Sequence, residues 1–421
     1  MWTPPNINAI PTEFDLINAR DTIVALEEEL INAQLRVRQL KEELKTLKAW
    51  VAPVRRLPFE ILSSIFTLCG EMYWKAPLSI AAVCRLWREV VQNTPRAWFS
   101  TKVTNQKNIN LLGVYLERNN QRLLHVTLQL WSLIPELAPY AHVIQCIQVP
   151  DLPEFMQGLC FSHLKSLRIT SPDSKIRMAQ VTIDQFPSLQ HLEVSGSLID
   201  RWNVPGVVLP PIGTLTMAHR MQSTPTLLHT LRKTLFSFEI FFTSAIYTLD
   251  SRPIRFPRLR CLKLHRYTSM ASMPCKIVAP ELTTYIQWNA FHTSDSLMHE
   301  DVDTITHLRF ANFRSPIVFP QVRVFQLSIQ TYDLSNALKA IQDGNKFPSL
   351  GTIEFRLNTD YNVLNSRPVV DEWVKQYRPT LNILFTTDKW HIDPPGTIET
   401  WAPKPYYEGM FIMPPPIKYP R

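Results

Sequence analysis

From Leu16 an apolar side chain recurs every seven residues, at Ile23, Leu30, Val37, Leu44 and Val51, with Ala19, Leu26, Ala33, Leu40 and Leu47 forming a second line three positions on. Such a 3-4 alternation keeps one apolar stripe on a single helical face and predicts a left-handed supercoil with a partner helix over residues 16–52. Ile23 and Val37 on the first line, with Leu26 and Leu40 on the second, favour a parallel dimer. The flanking charges pull both ways, since Glu43 and Lys48 attract across such a dimer while Arg36 and Lys41 repel. Packing within the chain or against a different protein are the alternatives.

Pro53 ends that helix, because proline cannot donate in a helix interior and disfavours helical geometry at Ala52. Pro58 then suits a first helical turn, and behind it Leu62, Ile65, Phe66 and Cys69 form one stripe and Ile61, Ile65 and Leu68 another. A second helix is expected across Leu78 to Val91, with Ile80, Val83, Cys84, Trp87 and Val91 on one side, and Thr94-Pro95 opens a short turn carrying Trp98. A segment of this size has too little interior to bury two stripes alone, so the pattern implies a partner for the excess.

After residue 100 the period changes. Apolar residues at n, n+3 and n+5 recur with n at Leu123, Ile144, Leu164, Leu189, Ile212, Leu235, Leu259, Leu282, Ile305, Val322 and Leu350, at intervals of 17 to 28 residues. The copies FSHLKSLRI, FPSLQHLEV, FPRLRCLKL, FPQVRVFQL and FPSLGTIEF carry a preceding Phe, while the Leu282 copy places Tyr285 and Gln287 at its later positions. A spacing centred near 23 is that of leucine-rich repeats, whose alternating strand residues stack into a common core. Alternate residues of such strands face away from the core and are open to a protein ligand: Arg168, His191, Glu193, Glu239, Lys263, His265, Trp288, His307, Arg309, Gln326, Glu354 and Arg356. From 389 to 421 prolines exclude long helices and central strands, leaving either an extended cap on the last repeat or a polyproline tail.

Composition narrows the function more than the fold. The chain has 421 residues, 45% of them apolar, and a net charge of +8 spread among acidic residues, which does not indicate nucleic acid. Cys69, Cys84, Cys146, Cys160, Cys261 and Cys275 follow neither a disulfide nor a zinc spacing, as expected of reduced thiols in a cytoplasmic or nuclear protein. Residues 1–15 form a polar, proline-bearing tail unlike a secretory signal, and no stretch has the length of a membrane span. No phosphate-binding glycine loop, nucleophile elbow or paired-histidine metal motif occurs, so no catalytic residue, metal or cofactor is expected. The polar run FHTSDSLMHED, with His292, Asp295 and His299, is read as a solvated loop.

The order L57-P58-x-E60-I61-L62-x-x-I65-F66, then P77-L78, V83-C84-R85-x-W87-R88 and T94-P95-R96-x-W98, resembles an F-box over residues 53–100, in particular the F-box-like family of mushroom-forming fungi. The repeats over 101–388 resemble the degenerate leucine-rich repeats of such proteins. The resemblance implies an α/β chain made of a coiled-coil helix, a small all-α F-box and a repeat solenoid. It further implies that Leu57, Pro58, Ile61, Leu62 and Ile65 dock on a Skp-type adaptor and through it a cullin, with Phe66, Ile80, Val83, Trp87 and Trp98 packing the F-box. The repeats would then hold a protein substrate for ubiquitin transfer, catalysis residing in the partners. The alternative is a non-catalytic scaffold whose F-box serves no ligase.

Overall fold

The computed structural model describes residues 10–51, 53–105, 108–120, 123–150, 152, 158–170, 175–176, 181–194, 197–198, 208–219, 224–242, 250–266, 275–288, 299–310, 318–328, 334–357 and 360–387. The chain divides into two units, Met1–Ile65 and Phe66–Arg421, and the boundary falls inside one helix.

The first unit is dominated by α1 (Glu13–Trp50), a 38-residue helix. Thr12 caps its start reciprocally: the hydroxyl accepts from the Asp15 N–H while the Asp15 carboxylate accepts from the Thr12 N–H. The Thr12 hydroxyl also donates to that carboxylate at 2.6 Å, and this bond, with the Thr12 N–H, holds the Asp15 carboxyl below its ordinary range. The helix ends at Val51, just before Pro53 opens a single 3-10 turn (Pro53–Arg56). Helix α2 (Phe59–Met72) follows directly after Pro58.

After the end of α2, the second unit continues with two short helices, α3 (Ala76–Ala81) and α4 (Arg85–Gln92), and a 3-10 turn at Pro95–Trp98. The expected second helix over Leu78 to Val91 is therefore broken in two. The Cys84 backbone is extended and its sulfur accepts from the Trp87 N–H at 3.5 Å, so a helix N-cap stands where the apolar stripe had implied continuity.

Among the described residues from Ser100 onward, thirteen strands form one all-parallel sheet. Its members are β1 (Ser100–Val103), β2 (Leu124–Leu128), β3 (Ile144–Val149), β4 (Ser166–Ile169), β6 (His191–Val194), β8 (Thr214–His219), β9 (Ser237–Phe242), β11 (Cys261–Arg266), β13 (Thr284–Trp288), β14 (His307–Phe310), β15 (Val324–Ser328), β16 (Thr352–Arg356) and β17 (Asn382–Thr386), in that order. Short strands β5 (Lys175–Ile176) with β7 (Ser197–Leu198), and β10 (Asp250–Arg255) with β12 (Cys275–Val278), form two separate parallel pairs. Helices α5 (Ile109–Arg118), α6 (Thr224–Leu231), α7 (Leu334–Gln342) and α8 (Asp360–Tyr377) occupy four of the crossovers. Long crossovers are obligatory between parallel neighbours, and here the sequence period supplies them.

Each n, n+3, n+5 motif falls on one strand. The n residues from Ile144 to Leu350 are buried, and the later pair points to the same core, as in Leu164, Leu167 and Ile169 or Leu259, Leu262 and Leu264. The residue after n extends each ladder by one rung: Lys165 N–H donates to Gln145, Gln190 to Lys165, Gly213 to Gln190 and Phe236 to Gly213. The Phe-Pro signal also has a physical cause. Leu189, Leu259 and Leu350 N–H groups donate back to Phe186, Phe256 and Phe347, closing a turn with proline at its second position, where its fixed φ fits. The Phe rings stack between successive repeats, Phe161 on Phe186 at 5.7 Å and Phe319 on Phe347 at 5.8 Å. In the imperfect copy, Tyr285 donates its hydroxyl to the Gln287 side chain at 2.7 Å, and both are buried in the core.

No helix among the described residues is long and apolar enough to cross a membrane. Residues 389–421, with the proposed cap or tail, lie outside the described residues, as do His292 and Asp295 and the side chain of His299.

Candidate functional site

Two surfaces stand out: one face of α2 and the sheet face turned away from the core. On α2, Leu62 and Phe66 are buried, as is Gly70, while Ile61 (48% exposed), Ile65 (39%), Leu68 (59%) and Met72 (88%) recur at steps of four, three and four. That spacing places the exposed four on one helical face. Leu57 just before the helix is half-buried and Pro58 is exposed.

In the second unit the helices after α2 pack through aromatic residues. The Phe66 ring lies 5.2 Å from Trp87, and Trp98 meets Tyr115 edge-on at 5.2 Å while its indole N–H donates to the Val91 carbonyl at 2.7 Å. Tyr115 donates to the Trp74 carbonyl, and burial pushes its hydroxyl pKa up. Ile80 is buried; a Cβ on Gly70 would run into the carbonyl of Ala97.

Two expectations change places here. Leu62, assigned to adaptor docking, is 1% exposed, because it shares the inward face of α2 with Phe66 one turn on. Val83, assigned to internal packing, is 60% exposed, because α3 ends at Ala81 and the residue falls in the turn before the Cys84 cap. Leu86, 45% exposed on α4, was not among the residues read from the sequence.

On the outward sheet face the register aligns single residues into continuous rows. One row runs Arg168, Glu193, Thr216, Glu239, Lys263, Ile286, Arg309, Gln326, Glu354 and Leu384 across ten strands. Neighbours ~4.8 Å apart along a parallel ladder are close enough for long side chains to bond sideways. Arg168 donates to Glu193 at 2.7 Å; Glu239 receives Lys263 at 3.4 Å and His265 at 2.8 Å; Arg309 donates to Gln326 at 2.7 Å, and Gln326 to Glu354 at 2.6 Å. His265 also stacks on Phe241, ring centres 4.1 Å apart. Burial pushes the Glu239 carboxyl upward, but Lys263 and His265 outweigh it and hold it at about 2.

The row is less open than expected. Arg168, Arg309 and Glu354 are 6%, 9% and 0% exposed, and Gln326 is 2% exposed, and these polar groups bond sideways within the row. Glu193, Glu239, Lys263, His265, His191, His307 and Arg356 are partly exposed and remain reachable. Trp288 pairs in register with His265, its side chain lying outside the described residues.

A second row, two residues earlier on each strand, holds small polar and imidazole groups: His125, Cys146, Ser166, His191, Thr214, Ser237, Cys261, Thr284 and His307. Burial lowers the pKa of His125, and burial with Lys165 lowers that of His191, whose Nδ1 lies 2.5 Å from the Thr214 hydroxyl. Burial and Arg323 lower His307 likewise, while burial raises the Cys146 thiol to about 12. A thiol so raised is protonated near neutrality and a poor nucleophile. Among the described residues no group of three His, Cys, Asp or Glu side chains converges to hold a metal.

Compared with models of known protein families and with curated proteins, the chain matches none.

Proposed function

We propose that the chain is the substrate-recognition subunit of a Skp-cullin-F-box ubiquitin ligase, docking the adaptor through α2 and holding a protein on the outward sheet face. The carrying observation is the exposed apolar face of Ile61, Ile65, Leu68 and Met72, immediately after Leu57-Pro58. Leu and Ile side chains so placed cost free energy in water, roughly 1 kcal/mol or more for each half-covered residue, which a docking partner recovers. The partly exposed Glu193, Glu239, Lys263 and His265 supply mixed charge on one face, suited to a polar protein segment. This subunit would contribute orientation and proximity, the ubiquitin chemistry lying in its partners.

Co-purification with a Skp-type adaptor tests the reading. The wild-type chain should retain the adaptor, and Ile61→Ala/Ile65→Ala, both exposed, should reduce retention at least tenfold without loss of helix content. No retention by the wild type, or equal retention by the variant, defeats the docking claim. Reconstitution with the cullin core then separates ligase from scaffold, since a scaffold binds the adaptor without supporting ubiquitin transfer.

A further inference from the structure

We infer that α1 pairs with α1 of a second copy of this chain, and that the two helices run antiparallel. The stripe is exposed along its whole length: Leu16, Ile23, Leu26, Leu30, Val37, Leu40, Leu44 and Leu47 are each between 42% and 63% exposed. At 38 residues α1 spans about 57 Å, and a helix in a protein draws most of its stability from packing an apolar face. A sustained heptad stripe is self-complementary, so a second copy suffices to cover it.

Charge decides the direction. Residues 13–31 carry six carboxylates (Glu13, Asp15, Asp21, Glu27, Glu28, Glu29) against Arg20, net −5. Residues 32–50 carry five cations (Arg36, Arg38, Lys41, Lys45, Lys48) against Glu42 and Glu43, net +3. Parallel pairing sets like half against like half; antiparallel pairing sets the acidic half of each helix on the basic half of the other and also opposes the helix dipoles.

Core volume points the same way. Antiparallel helices overlap fully, Glu13 beside the partner's Trp50, when Leu16 faces the partner's Leu47, Ile23 the partner's Leu40 and Val37 the partner's Leu26. Both small residues then meet a large one, Ala19 the partner's Leu44 and Ala33 the partner's Leu30. A parallel pair would set Ala19 on the partner's Ala19 and Ala33 on the partner's Ala33, leaving two thin layers. The flanks are neutral in this choice: Glu29 meets the partner's Arg36, but Arg20 meets the partner's Lys41. The β-branched residues that favour a parallel pair are thus outweighed by half-helix charge and by the alanine layers.

Light scattering on the full chain should give twice the 48.8 kDa chain mass, falling to one chain mass for Leu30→Glu/Leu40→Glu with the rest of the fold retained by circular dichroism. Direction is read by disulfide trapping against the wild-type background. Full-length Ala19→Cys mixed with full-length Leu44→Cys should give a new crosslinked dimer, and neither should alone. A monomeric wild type, as for a helix kept for a different protein, overturns the second copy, and a double variant that stays dimeric overturns α1 as its interface. Crosslinking of Ala19→Cys with itself, or no crosslink in the mixture, overturns the antiparallel register.

Discussion

At the scale of single residues, the proposed docking face and the packing face of α2 are separated by one helical turn or less. Ile61 and Leu62 are chain neighbours, yet one is exposed and the other buried. Leu62→Ala should therefore act through stability, costing about 2–5 kcal/mol in denaturant unfolding, whereas Ile61→Ala should leave stability nearly unchanged and weaken retention of the proposed adaptor. Gly70→Ala should cost about 1–3 kcal/mol by the same measurement, because the added methyl meets the rigid backbone carbonyl of Ala97. Glu239 offers a pH signature. Its carboxyl is held at about 2, below the usual carboxylate value of about 4.3, so its ion pairs stabilise the fold fully above that usual value. Their contribution is lost as pH falls through about 2, and Glu239→Gln should flatten the acid limb of a stability-versus-pH curve.

At the scale of elements, the repeat strands were largely legible because the core demands the same three apolar positions each time. The two outermost strands were not. In register with its neighbours, β1 places Thr101 where β2 has Val126, and the residue at position n of the β17 repeat is Thr380, so each lacks one member of the triplet. The Phe before n was visible as a motif, but its inter-repeat stacking was not, since a sequence does not show which rings become neighbours. Phe347, which contacts both Phe319 and Phe325, should lose about 3–5 kcal/mol on replacement by Ala. The exposed Val83 was misplaced because helical periodicity carries no information on where a helix breaks, and the break is set by the Cys84 cap. The buried state of Glu354 was hidden for a different reason: Gln326, which donates to it, lies 28 residues away in the sequence. The row of His125, His191 and His307 adds a shared titration. All three are held below the ordinary imidazole value of about 6.5, so the unfolded chain binds more protons there and stability should rise as pH climbs through that value. Denaturant melts between pH 5.5 and 7.5 would show it, on the order of the imidazole titration range.

At the scale of the whole molecule, the strand order follows the chain order across all 13 strands. Parallel sheets ordinarily demand partners far apart in sequence, which slows their formation. Here every main strand pairs with the one made just before it, about one 23-residue repeat earlier, so the loop to be closed stays short at every step. A ribosome delivering the chain from its first residue would thus release each strand onto a template already in place. The sheet can grow by accretion during synthesis, and the edge that receives the next strand is always that of the newest one.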